Sequence, residues 1–132
     1  MLGADSPNLD LIPVSITGAT GSCPPAASAP TTANLGSAFT PQQIIVTADG
    51  QQVYITSNVG GQLLHFNIAG NSSAPITLSS SATTFTGGAT PDGATVYVGG
   101  SDSQVHRIDV ASGTDAQQFP IGFVPDLVAV RP

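Results

Sequence analysis

The chain has 132 residues and a formal net charge of −6, carried by eight Asp against two Arg, with neither Lys nor Glu. That length suits one domain with a sizeable core, and 40% hydrophobic content excludes wholesale disorder. Two cations give no footprint for a phosphate backbone or an anionic bilayer surface, and no stretch of about 18 apolar residues occurs, so nucleic-acid binding and membrane insertion are not expected.

Gly, Ser, Thr and Val are abundant while the residues that clothe helices are scarce, so the chain is expected to be all-β. In chain order, MLGADSPNLDL shows no charged n-region followed by an apolar run, and no export signal is read in it. NLDLIPV (residues 8 to 14) is a candidate strand. The segment SITGATGSCPPAASAPTTANLGSA (15 to 38) is rich in small residues and proline; it reads as a long surface excursion returning at about 31 to 35 to form an outer strand. Within it, Cys23 is the only cysteine, which excludes an internal disulfide and any Cys-rich zinc spacing.

From residue 40 the chain repeats. VTADGQQVYIT (46 to 56) falls on ATPDGATVYVG (89 to 99) at an offset of 43, pairing Asp49 with Asp92, Gly50 with Gly93 and Tyr54 with Tyr97. Leu63, Phe66, Asn67 and Ile68 fall on Val105, Ile108, Asp109 and Val110 at an offset of 42, so an intervening loop absorbs one residue. Each unit reads as four short strands, in the first copy about 42 to 47, 52 to 57, 62 to 68 and 75 to 79. Ala48-Asp49-Gly50 and Pro91-Asp92-Gly93 specify tight turns, with Gly in the left-handed position. Gly60-Gly61 and Gly99-Gly100 read as turns between second and third strands. Pro125, Val128 and Val130 repeat Pro41, Ile44 and Val46 at an offset of 84, which predicts a further first strand at the end of the chain. At the other end, Leu9, Ile12 and Val14 can be laid on Leu63, Phe66 and Ile68.

The copy TPDGATVYVGGSDSQVHRIDVASG (90 to 113) resembles the YVTN-type β-propeller repeat, and ADGQQVYITSN resembles a drifted version of it. The resemblance implies four-stranded antiparallel blades in an incomplete ring: a partial blade with its Pro/Ser/Ala-rich insertion over 1–39, full blades over 40–82 and 83–122, and the first strand of another over 123–132. Such propellers include lactonase-like enzymes, redox proteins and surface proteins, so the resemblance does not fix one activity. A ring closes with some four to eight blades. The expectation is therefore a section of a longer, exported, extracytoplasmic propeller whose signal lies upstream, or a subunit that assembles a ring with other copies.

Chemistry-bearing residues are few. Asp49 and Asp92 belong to turns, and Asn67 and Asp109 to the bend after the third strand. Tyr54 and Tyr97 read as blade-core aromatics whose hydroxyls find a partner at the sheet edge. His65 and His106 sit one position out of register between copies, on opposite strand faces, and read as packing or blade-edge hydrogen bonding. Asp102 and Asp126 are the freer acids, and Arg107 is placed to pair with Asp109 across a surface. Asp102, His106, Arg107 and Asp126 are thus the candidates for partner contact. No catalytic, cofactor-binding or metal-ligating set is identified, and Asn71-Ser72-Ser73 matches a glycosylation acceptor only formally. The functional expectation is a non-enzymatic binding or structural scaffold for a protein or glycan. The alternatives are a section of a lactonase-like or redox enzyme whose active site lies on other blades, and a self-assembling subunit.

Overall fold

The computed structural model describes residues 8–11, 14–15, 26–27, 31–35, 40–58 and 60–131, none of them helical. No helix is long and apolar enough to cross a membrane. Cys23 and Ile12 lie outside the described residues.

The first blade is a meander of β5 (Pro41–Val46), β6 (Gln52–Ser57), β7 (Gln62–Asn67) and β8 (Ser72–Thr77), paired antiparallel in that order. The second repeats it with β9 (Thr84–Ala89), β10 (Thr95–Gly100), β11 (Gln104–Asp109) and β12 (Thr114–Pro120). Ahead of them, β1 (Asn8–Leu11) pairs with β4 (Thr31–Asn34), and β2 (Val14–Ser15) with β3 (Ala26–Ala27), so the small-residue excursion leaves and returns through a paired base. The architecture is all-β, with blades in an open ring.

Turn chemistry closes the first hairpin of each blade identically. Asp49 Oδ1 accepts from Gln51 N–H and Thr47 Oγ1, and Asp92 Oδ1 from Ala94 N–H and Thr90 Oγ1. Gly50 and Gly93 take φ of 68° and 69°, a conformation that strains any side chain. After the third strand, Asn67 and Asp109 accept from Gly70 N–H and Ser112 N–H. Asn71, at φ 45°, lets β8 start directly opposite Asn67. The fourth strand therefore begins at Ser72, three residues before the sequence reading. Pro75 sits inside it without penalty because β8 is an edge strand. Gly99 and Gly100 likewise belong to β10 and not to a turn. Gly99 is paired with Val105 and Thr86, and a Cβ there would stand 2.5 Å from Pro125 Cγ.

Alternation along the strands buries both faces of the first blade and one face of the second. Tyr54, Leu63 and Ile76 of the first blade, with Ile45 and Leu78, meet Val96, Val98 and Ile108 of the second. The first blade's other face, Val53, Ile55, Leu64 and Phe66, is covered by Leu9 and Leu35 from around the β1–β4 sheet. Burying one such aliphatic side chain contributes about 1.5–3 kcal/mol, so these two seams hold the stack together.

The seam is also hydrogen-bonded. Gly87 N–H donates to Gln43 Oε1 at 2.9 Å, and Gln43 Nε2 donates to the Gly87 carbonyl at 3.2 Å. One repeat later, Val128 N–H donates to Thr86 Oγ1 at 3.1 Å. Residues 127–131 thus follow the path of an inner strand against β9. They form no strand, because they have no sheet partner among the described residues.

Candidate functional site

The structure joins two of the four residues singled out from the sequence. His106, on β11, is fully buried between two carboxylates: its Nδ1 lies 2.8 Å from Asp115 Oδ2 and its Nε2 3.2 Å from Asp102 Oδ2. Asp102 comes from the turn between β10 and β11, and Asp115 from β12, which the antiparallel register brings alongside.

A third element completes the cluster. Residues 78–83 carry the chain from the outer strand of the first blade to the inner strand of the second. Ser79 donates to Asp115 Oδ2 through its N–H and its hydroxyl, at 2.8 and 2.7 Å. Ser80 Oγ donates to Asp102 Oδ2 at 2.6 Å. Gln104 adds its N–H to Asp102 Oδ1 and its side-chain amide to Oδ2. Asp102 is therefore committed, not free as the sequence suggested.

Burial opposes the charge on both acids, yet both pKa values lie below the ordinary carboxylate range. At Asp102, bonds from Ser80 and Gln104 and the neighbouring His106 outweigh desolvation. At Asp115, the Ser79 backbone, the Gln118 side chain, the Ser79 hydroxyl and His106 do the same. Asp115 Oδ1 itself has no well-formed hydrogen bond among the described residues, so Gln118 acts on the carboxylate without closing one.

Arg107 points from the opposite face of β11. It makes no ion pair with Asp109, whose Oδ1 is taken by the Ser112 N–H and hydroxyl; those bonds, more than the Arg107 charge, hold Asp109 low. Asp126 is exposed on the terminal segment and joins none of these contacts. His65 stacks on its cross-strand neighbour Tyr54 with ring centroids 4.9 Å apart, and its Nε2 lies 2.6 Å from Gln52 Oε1. Asn67 Nδ2 donates to the same oxygen, which leaves Nε2 of His65 to donate as well. Burial lowers the His65 pKa. The Tyr54 hydroxyl is buried without a partner among the described residues, in place of the sheet-edge bond expected of it, and burial, then Asp109 and Asp49, raise its pKa.

Sequence reasoning missed Asp115, Ser79 and Ser80. The signal available was divergence between copies: His106 replaces Leu64, and Asp115 replaces Ser73. Among the described residues no group of three His, Cys, Asp or Glu is arranged to hold a metal ion.

A second feature is the outward face of the second blade. Its positions equivalent to Tyr54, Leu63 and Ile76, which are 0, 0 and 4% exposed, are Tyr97, Val105 and Phe119; Phe119 is 36% exposed. Tyr97 and Phe119 form a tilted ring pair at 6.4 Å, with Arg107 opposite Tyr97 in the β10–β11 register. Nearby on the terminal segment, Phe123 and Leu127 are 66 and 77% exposed.

No family model matches the chain, and no curated protein sequence does. Among solved structures it is similar to hydrazine synthase of Kuenenia stuttgartiensis, at 19% identity and a TM-score of 0.60 over 66% of this chain and 25% of that one. It is also similar to Hsv2 of Kluyvelomyces marxianus, at 10% identity and a TM-score of 0.61 over 73% and 33%. U3-55K gives 13% identity and a TM-score of 0.55 over 64% and 27%. The chain spans about a quarter to a third of these relatives. At such identities the likeness is one of fold, and the fold is that of β-propeller blades.

Proposed function

We propose that this chain is a section of an extracytoplasmic YVTN-type propeller that acts as a non-enzymatic binding or structural scaffold. The observation that carries this reading is the outward face of the second blade. Tyr97, Val105 and Phe119 stand where the first blade has three buried residues, and the terminal segment beside them adds exposed Phe123 and Leu127. A sheet face of this composition, continued by an inner-strand segment, is built to be covered by another surface.

The polar cluster supports the same reading. Both ring nitrogens of His106 are occupied and the ring is fully buried, so it offers no proton acceptor to a substrate. Absence of lysine and abundance of Ser and Thr suit an exported protein that binds a protein or a glycan. A lactonase-like or redox function would have to reside on other blades of a longer protein.

The test is light scattering combined with binding of the apolar dye ANS, on the wild type and on a Tyr97→Ser/Phe119→Ser variant. Wild-type protein is expected to bind the dye or to form a defined oligomer, and the variant to lose that property. A defined dimer or trimer selects the self-assembling scaffold. A monodisperse wild-type monomer that binds no dye overturns the assignment of this face as a contact surface.

A further inference from the structure

We propose that Asp102, His106 and Asp115 form a proton-dependent clasp that locks the crossover between the two blades, and that its locked state requires the doubly protonated imidazole. Donor inventory sets this requirement. An ionised carboxylate only accepts hydrogen bonds, and neutral imidazole has a single N–H. His106 turns both nitrogens to carboxylate oxygens, so the neutral ring would aim one lone pair at a carboxylate. Only the imidazolium donates on both sides.

The same two oxygens tie down the crossover. Asp115 Oδ2 serves His106 and both donors of Ser79, and Asp102 Oδ2 serves His106, Ser80 and Gln104. A carboxylate that swings away from an unprotonated ring therefore releases the serine it holds. The ionisable groups that bond to the ring are Asp102 from the β10–β11 turn and Asp115 from β12. The crossover contributes only the hydroxyls of Ser79 and Ser80 and the Ser79 N–H. From β10, Gly100 lies against the ring, and a Cβ there would stand 3.2 Å from His106 Nε2 and 2.5 Å from Asp102 Oδ1.

The device belongs to this joint alone among the described blades. The first blade places Leu64 at the matching position, packed in an apolar cluster with Leu9, Val53 and Phe66. A repeat that needs only cohesion uses leucine; the second copy substitutes a charged triad whose integrity depends on one proton. Its expected consequence is a crossover that loosens when that proton leaves, while both blades stay folded.

Nitrogen NMR of the whole chain carrying ¹⁵N-histidine tests this directly. While the crossover is locked, both ring nitrogens of His106 are expected to show protonated shifts, whereas His65 at neutral pH shows one protonated and one bare nitrogen. A bare nitrogen on His106 under conditions where the Ser79 N–H keeps its full protection overturns the proposal. Amide exchange gives the mechanical readout. Once His106 loses its proton, the Ser79 N–H, corrected for intrinsic exchange, should lose about tenfold in protection, the effect of one hydrogen bond to a charged acceptor. Leu78 and Gly61, whose N–H groups bond backbone carbonyls at the same crossover, should hold theirs. Constant Ser79 protection, or equal loss at all three, refutes the clasp. The His106→Leu variant should make Ser79 exchange independent of His titration; should it not fold, the wild-type measurements decide alone.

Discussion

Replacing Gly87 by alanine tests the seam between the blades. An added Cβ would stand 2.5 Å from the Tyr97 carbonyl oxygen, 2.6 Å from Ile45 Cδ1 and 3.0 Å from Val98 Cγ1. The Ile45 methyl can rotate aside, but the carbonyl belongs to the neighbouring strand, and Val98 is fully buried. Relief thus requires β9 to shift, which disturbs its contact with Gln43, whose amide bonds both the N–H and the carbonyl of Gly87. Overpacking at a site that cannot relax costs about 1–3 kcal/mol. Loss of one of the two Gln43 bonds adds about 1 kcal/mol, so the total should be about 2–4 kcal/mol. The neighbouring Gly88→Ala is the control, since its Cβ would meet only Val130, at 3.2 Å from the movable Cγ2. Urea unfolding followed by circular dichroism should place Gly88→Ala within about 1 kcal/mol of wild type and Gly87→Ala well below it. Equal midpoints for the two variants would refute the seam as described.

Two further outcomes follow from buried polar atoms and from the acids. Tyr54→Phe removes a hydroxyl that is buried without a partner among the described residues, so urea unfolding should show unchanged or slightly increased stability; a loss above about 1 kcal/mol would mean the hydroxyl is bonded after all. Asp49, Asp92, Asp102, Asp109 and Asp115 all have native pKa values below the ordinary carboxylate value. The unfolded chain therefore binds protons first as pH falls, and their contribution is fully present above about pH 4 and lost below it. The urea midpoint, measured against pH, should decline on that acid side, and a midpoint that rises on acidification below about pH 4 would contradict the assignments.

The blades were legible in the sequence wherever the physics is local. Thr-x-Asp-Gly encodes its own turn, since Asp49 and Asp92 each bond a residue two positions on and the glycine supplies the backbone angle. Tyr54, Leu63 and Phe66 were legible as core because both copies keep bulk at those positions. The reading failed where a residue's role depends on something distant. Pro75 looked like a strand start until Asn71 set the preceding turn, and Gly99 looked like a turn because its packing against Pro125 and Thr86 spans far more of the chain than any local pattern. Of the candidate site, His106 and Asp102 were visible as residues, but Asp115 reaches them only through the β11–β12 register, and the serines only through the crossover.

What distinguishes the two copies is where each spends its divergence. Their turns are nearly superimposable in hydrogen bonding, and so is the seam bond that runs from Gln43 to Gly87 and again from Thr86 to Val128. The acceptor there changes from an amide to a hydroxyl while the N–H it receives stays at the matching position, so the constraint acts on backbone placement and not on residue type. At the rim the opposite holds. Leu64 and His106 occupy matching strand positions and are both buried, yet one is satisfied by apolar contact and the other only by two carboxylates and a crossover that binds them. A buried ionic cluster is generally no more stabilising than a well-packed apolar replacement. Its presence at one joint and absence from the other therefore points to a requirement on that joint other than cohesion, and control of how the crossover is held is the requirement its geometry meets.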